Sequence, residues 1–247
     1  MVDSQALCMP LTGLVPGLVP AEVVTIVAHD LRTPLNAISM GAALLQDESQ
    51  GGQFQAEALA IIRRAARRMD RLISDLLDSG RLDAGRTLRI DAAPLQLAAV
   101  LDQACDEVRA SAKAKGQTLN CEVHPDLPEV YADRDRLAQV VSNLLGNATK
   151  FTPPGGRIKV AASSEGHEVR VSVTDSGPGI PGEDLPRVFD AYWQAQKTAS
   201  LGCGLGLKIA RAIVQSHGGR MWAESPPGAG ATFSFTVPVP GSAEMRR

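Results

Sequence analysis

Apolar residues recur at helical spacing through residues 21–82 and predict two helices joined by a polar turn at 46–53. In the second helix the apolar positions are three or four residues apart, at Leu59, Ile62, Ala66, Met69, Ile73 and Leu76. The first helix carries a similar stripe that slips by one residue near Pro34: Val24, Val27, Leu31, Leu35, Ile38, Ala42 and Leu45. Because a hairpin of two such helices cannot bury both of its faces, the pattern favours a homodimer that forms a four-helix bundle.

The pattern changes after residue 86. Short runs of β-forming residues at 87–90, 117–123, 157–162, 168–174 and 231–237 are mixed with amphipathic helices near 95–114, 134–149 and 205–217. Polar and apolar residues alternate in several runs, which predicts a sheet with one face covered by helices. The predicted fold is therefore α+β, with a helical-hairpin domain at 21–82, a linker at 83–86 and an α/β sandwich at 87–240. Residues 1–20 are predicted to be a linker segment and 241–247 a tail.

Charge and composition narrow the classes of function. With 25 Lys and Arg against 27 Asp and Glu, the net charge of -2 provides no basic field, so no nucleic-acid partner is expected. The four cysteines are far apart in sequence and form no CxxC pair, which favours a cytoplasmic protein without a zinc site or a disulfide framework. The apolar stretch at 6–21 contains three prolines and predicts no membrane span. Any sensor input is therefore expected from a partner or from a region absent from this chain.

Residues 29–35 read HDLRTPL and lie on the first predicted helix. His29 is two residues from both Val27 and Leu31, so its side chain is expected on the solvent face. An exposed neutral imidazole is a usable nucleophile towards phosphorus. Asp30 can accept a hydrogen bond from one ring nitrogen and take up the departing proton. Taken alone, the heptapeptide is equally typical of a surface histidine beside a helix-bending proline.

A second candidate site lies on the helix predicted near 134–149. Asn143 and Asn147 are four residues apart on one face, and Lys150 follows. Amide oxygens beside a lysine suit a Mg²⁺-phosphate site, although a helical asparagine is more often simply solvated.

Two glycine-rich segments follow. Residues 175–180, DSGPGI, come after a predicted strand, where Asp175 can accept a hydrogen bond from an exocyclic amine such as that of adenine. With Gly182 the segment fits GxGxxG, but two prolines intervene and residues 195–200 contain no acid, so a dinucleotide-binding turn is rejected. Residues 202–207, GCGLGL, lead into a helix whose first N–H groups can bind phosphate, unless the glycines are only a hinge. No GxxxxGK[ST] sequence occurs, which excludes a P-loop enzyme.

Taken in order, these segments resemble the sequence boxes of sensor histidine kinases over residues 21–239. Residues 29–35 resemble the H box, residues 143–152 (NLLGNATKFT) the N box, residues 175–180 the G1 box, Phe189 the F box and residues 202–207 the G2 box. The resemblance implies a dimeric hairpin that carries the histidine, followed by an ATP-binding domain of the kind shared with Hsp90, MutL and type II topoisomerases. It also implies autophosphorylation of His29 by ATP and transfer to an aspartate in the receiver domain of a separate response regulator.

The resemblance also implies roles for individual residues. Asp175 is expected to bind the adenine amine and Asn147 to ligate Mg²⁺, with Asn143 and Lys150 beside the phosphates. The ATP lid is expected at 192–201. Thr33 can orient a water for phosphatase activity towards the regulator. The nucleotide site is expected to include the glycines of both segments: Gly177, Gly179, Gly202, Gly204 and Gly206.

Three departures from the family pattern stand out: an Asp rather than a Glu at Asp30, a short lid, and Gln194 where many members have arginine. Lys197 is a candidate for the missing charge. Two alternatives to a histidine kinase are a degenerate ATP-binding scaffold and a conformational ATPase. Cys203, between two glycines, is expected to lack steric cover and to be reactive.

Overall fold

The computed structural model describes residues 21–46, 52–124, 126–193 and 203–240. The described helices are α1 (Ala21–Gln46), α2 (Gly52–Asp83), α3 (Leu97–Ala114), α4 (Arg134–Phe151) and α5 (Gly206–Ser216), with a single 3₁₀ turn at Leu185–Arg187. The strands are β1 (Ala93–Leu95), β2 (Thr118–Val123), β3 (Val130–Ala132), β4 (Arg157–Glu165), β5 (Glu168–Asp175), β6 (Met221–Glu224) and β7 (Ala231–Pro238). The predicted segments at 1–20 and 241–247, and most of the hairpin turn, lie outside the described residues.

The chain divides into two compact units, and the division falls inside α2. The first unit comprises Met1–Leu72 and Asp83–Gly85, and the second comprises Ile73–Leu82 and Arg86–Arg247. The last turns of α2 therefore belong to the same unit as the sheet. The predicted domain boundary at 82/83 stays a prediction.

In the first unit, α1 and α2 form the predicted helical hairpin. They approach closely at Gly41, where a Cβ atom would lie 2.7 Å from Cγ1 of Ile62 and 3.2 Å from the carbonyl oxygen of Ala58. Pro34 lies within α1, which continues through it to Gln46. The close contact explains why small residues occupy the inner face of the hairpin.

The buried stripe of the hairpin is shifted by one residue from the predicted one. Each buried position directly precedes a residue of the predicted apolar stripe; these positions are Asp30, Pro34, Gly41, Ala58 and Ala65. Leu35 and Leu59, which belong to the predicted stripe, are 52% and 45% exposed. One hairpin buries only the face along which its own helices touch, so the predicted stripe, which belongs to the seam of a dimeric bundle, stays a prediction.

The second unit contains a five-stranded sheet in the order β2-β4-β5-β7-β6. The β2–β4 pair is parallel and the other pairs are antiparallel. Helices α3, α4 and α5 pack on the sheet. Val169, Val171 and Val173 of β5 are buried, and polar residues alternate with them. The predicted α/β layer is therefore confirmed, and with the hairpin it gives the predicted α+β fold class.

Two details of the strand prediction were wrong. Residues 87–90 form no strand, although Leu88 is buried and produces the alternation that suggested one. The nearby strand is β1, which pairs antiparallel with β3 over three residues. Strands as short as β1, β3 and β6 cannot display enough alternation to be recognised, since tertiary pairing rather than local pattern stabilises them.

Helix α4 is held at both ends. At its start the Asp133 carboxylate accepts hydrogen bonds from the backbone N–H groups of Asp135 and Arg136, each at 3.1 Å. At its end the buried Gln117 side chain donates to the carbonyl oxygens of Thr149 at 3.1 Å and Thr152 at 2.6 Å. These bonds satisfy groups that a helix terminus leaves unpaired. The helix that carries Asn143 and Asn147 is therefore firmly positioned.

Candidate active site

His29 is presented to solvent by the outer face of α1. Its side chain is 68% exposed, and Nδ1 lies 3.3 Å from Oδ1 of Asp30, whose side chain is only 9% exposed. If Nδ1 carries the proton and donates to Asp30, the lone pair lies on Nε2. The other carboxylate oxygen, Oδ2 of Asp30, is buried and has no hydrogen-bond partner within the described residues. The pair thus combines an exposed nucleophile with an acceptor that has spare capacity for a proton.

Thr33 lies one helical turn after His29. Its hydroxyl donates to the carbonyl oxygen of His29 at 3.3 Å, and its side chain is exposed. The hydroxyl oxygen retains lone pairs that can hold a water on this surface.

Asp175 ends β5 and is buried, with 7% of its surface exposed. Its Oδ1 accepts a hydrogen bond from the backbone N–H of Gly177 at 2.8 Å. Burial raises the pKa of this carboxyl above its ordinary value, and hydrogen bonds from the backbone of Gly177 and Ala231 oppose the rise. A buried acceptor at a strand end matches the role expected for an amine ligand.

The glycine segment after Asp175 has no room for side chains. A Cβ atom on Gly177 would lie 2.7 Å from Oδ1 of Asp175 and 2.9 Å from the carbonyl oxygen of Phe151, the last residue of α4. Gly179 adopts a φ of +76°, which disfavours any L side chain. The segment is therefore closely packed against the end of α4.

The second glycine segment contacts α4 nearer its centre. The Asn143 side chain donates to the carbonyl oxygen of Gly206 at 3.0 Å, where α5 begins. Asn147, one turn further on, is half-buried, and its side chain has no hydrogen bond to any residue that the structure describes. The ammonium group of Lys150 lies 4.6 Å from the centre of the Phe151 ring. Both glycine segments therefore meet the helix that carries the two asparagines.

The base of the predicted lid is also ordered. Gly204 has a φ of +68° and accepts a hydrogen bond from the backbone N–H of Tyr192 at 3.0 Å. Phe189 packs edge-on against Phe233, with ring centres 6.3 Å apart, and the Arg211 guanidinium lies 5.1 Å from the Phe189 ring centre. Gly202, Gln194 and Lys197 lie outside the described residues, so the expectations for them stay predictions.

Cys203 differs from its prediction. It is buried, with 6% of its surface exposed, whereas the neighbouring glycines had suggested an uncovered thiol. Glycine neighbours remove only the cover that adjacent side chains would give, and they do not decide whether a side chain is buried in the fold. The expectation of a sterically open thiol was wrong.

Two supporting residues were missed in the sequence. The Ser225 hydroxyl accepts from the N–H of Ile180 and donates to the carbonyl oxygen of Gly230, both at 2.7 Å. Gly230 approaches Asp175 so closely that a Cβ atom would lie 1.9 Å from the Asp175 carbonyl oxygen. The loop between β6 and β7 thus supports the first glycine segment. In the sequence this loop could be recognised only by Gly228 and Gly230 after a serine, and that pattern is equally typical of an ordinary turn.

The candidate site offers few side-chain oxygens to a metal ion, which suits a metal that is coordinated mostly by phosphate and water. Within the described ranges no group of three His, Cys, Asp or Glu side chains is arranged to hold a metal ion. An amide oxygen such as that of Asn147 can supply a single hard ligand to Mg²⁺.

Two parts of the chain match two protein families. Residues 21–85 match the His Kinase A (phospho-acceptor) domain. Residues 132–241 match the Histidine kinase-, DNA gyrase B-, and HSP90-like ATPase family. The chain belongs to the histidine kinases.

Particular relatives agree with this assignment. The adaptive-response sensory kinase SasA of Synechococcus elongatus is 37% identical over 228 residues, covering 88% of this chain and 59% of its own length. The catalytic domain of histidine kinase ThkA is 31% identical with a TM-score of 0.55, covering 60% of this chain and 95% of that domain. Full-length ShkA in complex with AMPPNP is 30% identical with a TM-score of 0.64, covering 90% of this chain and 46% of its own. ThkA in complex with the response regulator TrrA gives 26% identity and a TM-score of 0.61, covering 92% of this chain and 63% of its own.

The chain spans less than two thirds of the length of the SasA kinases that it matches. No helix in the described parts of the chain is sufficiently long and apolar to cross a membrane.

Proposed function

We propose that this chain transfers the γ-phosphoryl group of ATP to Nε2 of His29 and then to an aspartate of a response regulator. The observation that carries the proposal is the exposed His29 with its Nδ1 directed to the largely buried carboxylate of Asp30. Membership of the histidine kinases supports the same reaction. The predicted cytoplasmic location stays a prediction.

The proposed reaction is an in-line displacement at phosphorus. The Nε2 lone pair forms a bond to the γ-phosphorus, the bond from phosphorus to the bridging oxygen breaks, and ADP leaves. The imidazole becomes more acidic as the N–P bond forms, so its Nδ1 proton moves towards Asp30. The unpaired Oδ2 of Asp30 leaves the carboxylate with capacity to accept that proton. The shorter Asp side chain, compared with the Glu of many family members, still reaches Nδ1 at 3.3 Å.

The nucleotide site is proposed along α4. The Asp175 carboxylate accepts a hydrogen bond from the adenine amine in this proposal. The backbone around Gly177 and Gly179 can approach the base closely because no side chain intervenes. Gly202 and Gly204, ahead of α5, and Gly206, its first residue, offer backbone N–H groups to the phosphates. Asn143 and Lys150 lie beside the phosphates in this proposal, and Lys150 supplies positive charge.

Asn147 is proposed as the protein ligand of Mg²⁺. Its side chain has no hydrogen bond to the described residues, so its oxygen needs no prior bond to break. Bound Mg²⁺ would neutralise the charge on the phosphates. Asn147 would hold the ion at the face of α4 that also carries Asn143.

The proposed partners are a second copy of this chain and a receiver domain. The exposed apolar side chains of the hairpin support the homodimer, and the ThkA–TrrA complex supports a response regulator as acceptor. Thr33, one turn from His29, is proposed to orient the water that hydrolyses the regulator's phospho-aspartate. Sensor input is proposed to come from a partner or from a region absent from this chain.

Labelling with γ-labelled ATP tests the proposed function. His29→Gln should remove self-labelling while ATP affinity stays within about twofold, because acceptor and nucleotide contacts involve different residues. The label on the unaltered chain should be lost in acid, as expected for a phosphoramidate.

His167→Gln is the matched control, since His167 is exposed and lies in the turn between β4 and β5. It should label like the unaltered chain. If His29→Gln still accepts label, or if the label survives acid, His29 is not the acceptor. ATP binding without any labelling of the unaltered chain would instead support the scaffold or conformational ATPase.

A further inference from the structure

Two cysteines that are distant in sequence meet in the second unit. Sγ of Cys105, on α3, lies 3.2 Å from Sγ of Cys121, on β2. Both cysteines are free thiols. Their separation of 16 residues gave no sign of pairing in the sequence, where they had appeared unrelated.

The two thiols differ in their access to solvent. Cys105 is 1% exposed, whereas Cys121 is half-exposed on β2, which is an edge strand of the sheet. Cys105 donates a hydrogen bond to Cys121, and Cys121 in turn lies 3.8 Å from Oδ1 of Asp102. A small oxidant can therefore reach Cys121 first, and Cys105 is positioned behind it. Among the described residues no group of three His, Cys, Asp or Glu side chains is arranged to hold a metal ion, here or elsewhere.

We propose that Cys105 and Cys121 are a modification site at which a peroxide forms a reversible disulfide between α3 and the edge strand β2. This inference does not depend on the proposed kinase activity. The sulfur atoms need to approach by about 1 Å to reach the disulfide length of about 2.05 Å. Small rotations of the two side chains supply a movement of this size.

The oxidation is balanced in two steps. The Cys121 thiolate attacks one oxygen of hydrogen peroxide, the O–O bond breaks, and a sulfenic acid forms on Cys121 while the other oxygen leaves as hydroxide, which takes up the proton released by the thiol and becomes water. The Cys105 sulfur then attacks the Cys121 sulfur, the S–O bond breaks, and a second water leaves. Overall, two thiols lose two hydrogen atoms and one peroxide is reduced to two waters.

The electrostatic surroundings agree with this order of events. Burial, together with the hydrogen bond to Cys121, raises the pKa of Cys105 to about 12. Burial also raises the pKa of Cys121, while the hydrogen bond from Cys105 acts in the opposite direction. Asp102 disfavours both thiolates and Arg109 favours them. The hydrogen bond from Cys105 thus favours the thiolate on Cys121, the thiol that an oxidant reaches first, while the raised pKa values slow the reaction of both thiols.

The disulfide would close a loop that leads to the candidate nucleotide site. Between the two cysteines lie Lys115 and Gln117, whose side chains donate to the carbonyl oxygen of Thr149 near the end of α4. A covalent link across this loop restricts the unfolded chain and so stabilises the second unit. The oxidised protein should therefore unfold at a higher temperature than the reduced protein.

Peptide mapping and thermal unfolding of the full chain test the proposal. After sustained treatment with hydrogen peroxide and alkylation of the remaining thiols, mass spectrometry should find the peptides of Cys105 and Cys121 joined. The melting temperature should rise by about 5–10 °C and return to its original value after dithiothreitol.

Cys121→Ser is the matched control and should show neither the link nor the temperature shift. Cys105→Ala serves as a second control, because a small apolar side chain suits this buried position if serine there prevents folding. Alkylation of both residues after oxidation would overturn the proposal. A link from Cys121 to Cys8 or Cys203, or a Cys105–Cys121 link without a rise in melting temperature, would also overturn it.

Discussion

At the scale of single residues, the candidate site holds a carboxyl group in an unfavourable environment. Asp175 is buried at the end of β5, and burial raises its pKa from the ordinary 3.8. The folded state therefore binds this proton more tightly than the unfolded state does. The stability contributed by this group is fully present below pH 3.8 and is lost as the pH rises through the raised pKa. A charged Asp175 at neutral pH thus opposes folding, as expected of a group retained for binding.

The fall of stability with rising pH can be tested with Asp175→Asn, because the asparagine side chain does not titrate. As the pH rises from about 4 to about 7, the nucleotide-free unaltered protein should lose unfolding free energy relative to the variant. The relative loss should be about 1.4 kcal/mol for each unit by which the pKa is raised. Urea unfolding of both proteins across this pH range measures it. Parallel stability curves would show that burial does not raise the pKa of Asp175.

At the scale of elements, the end of α2 is joined to the helices that carry the candidate nucleotide site. Asp78 is 2% exposed and forms an ion pair with Arg136 of α4, while Gln139 of α4 donates to Oδ1 of Asp75 at 2.7 Å. Lys208 of α5 donates to the Ser79 hydroxyl at 3.0 Å. The last turns of α2 therefore contact both α4 and α5, which explains why they belong to the second compact unit.

The ion pair between Asp78 and Arg136 can be tested by a double-mutant cycle. Asp78→Ala should lower the unfolding free energy of the second unit by about 3–5 kcal/mol, because it leaves a largely buried guanidinium without its partner. Removing both side chains should cost clearly less than the sum of the two single changes. Chemical denaturation measures each value.

The control for this cycle is Asp106→Ala, which removes an ion pair with Arg109 whose two side chains are 72% and 58% exposed. Its effect should be near zero, and at most about 1 kcal/mol. An equally small effect of Asp78→Ala would mean that the end of α2 is not held by this ion pair.

At the scale of the whole molecule, the hairpin exposes more large apolar side chains than a lone hairpin would be expected to leave in water. Leu35, Met40, Leu44, Phe54 and Leu59 are 52%, 61%, 42%, 58% and 45% exposed. Several exposed apolar side chains on one hairpin favour an interaction site. The proposed homodimer covers it with the same surface of a second copy, as a two-fold axis requires.

Leu59→Glu should therefore convert the dimer to a monomer, because it places a charge within the proposed apolar interface. Light scattering coupled to size-exclusion chromatography measures the mass. Arg68→Glu places the same side chain at an exposed position nine residues further along α2, on the opposite face of the helix from Leu59, and should remain a dimer. If Leu59→Glu is still dimeric, the second copy binds elsewhere on the chain.

The amino-acid sequence by itself determined the class of the long elements and indicated the residues of the candidate site. The helical spacing of apolar residues predicted α1 and α2, and alternation predicted β5 with Asp175 at its end. Glycine segments could be recognised because glycine is required wherever backbone approaches backbone or φ is positive, as at Gly177 and Gly179. Such requirements depend on residues that are adjacent in the sequence, so they can be recognised without knowledge of the tertiary structure.

Only the tertiary structure decided which distant residues touch. It put the contact between α1 and α2 at Gly41 and Ala58, placed Gly230 against Asp175, and buried Cys203. It also brought Cys105 to 3.2 Å from Cys121, although the spacing of the cysteines had suggested no pair. Contacts of this kind depend on how helices and strands pack, and packing is a property of side-chain shapes from several elements at once. No pattern within one segment can therefore reveal them.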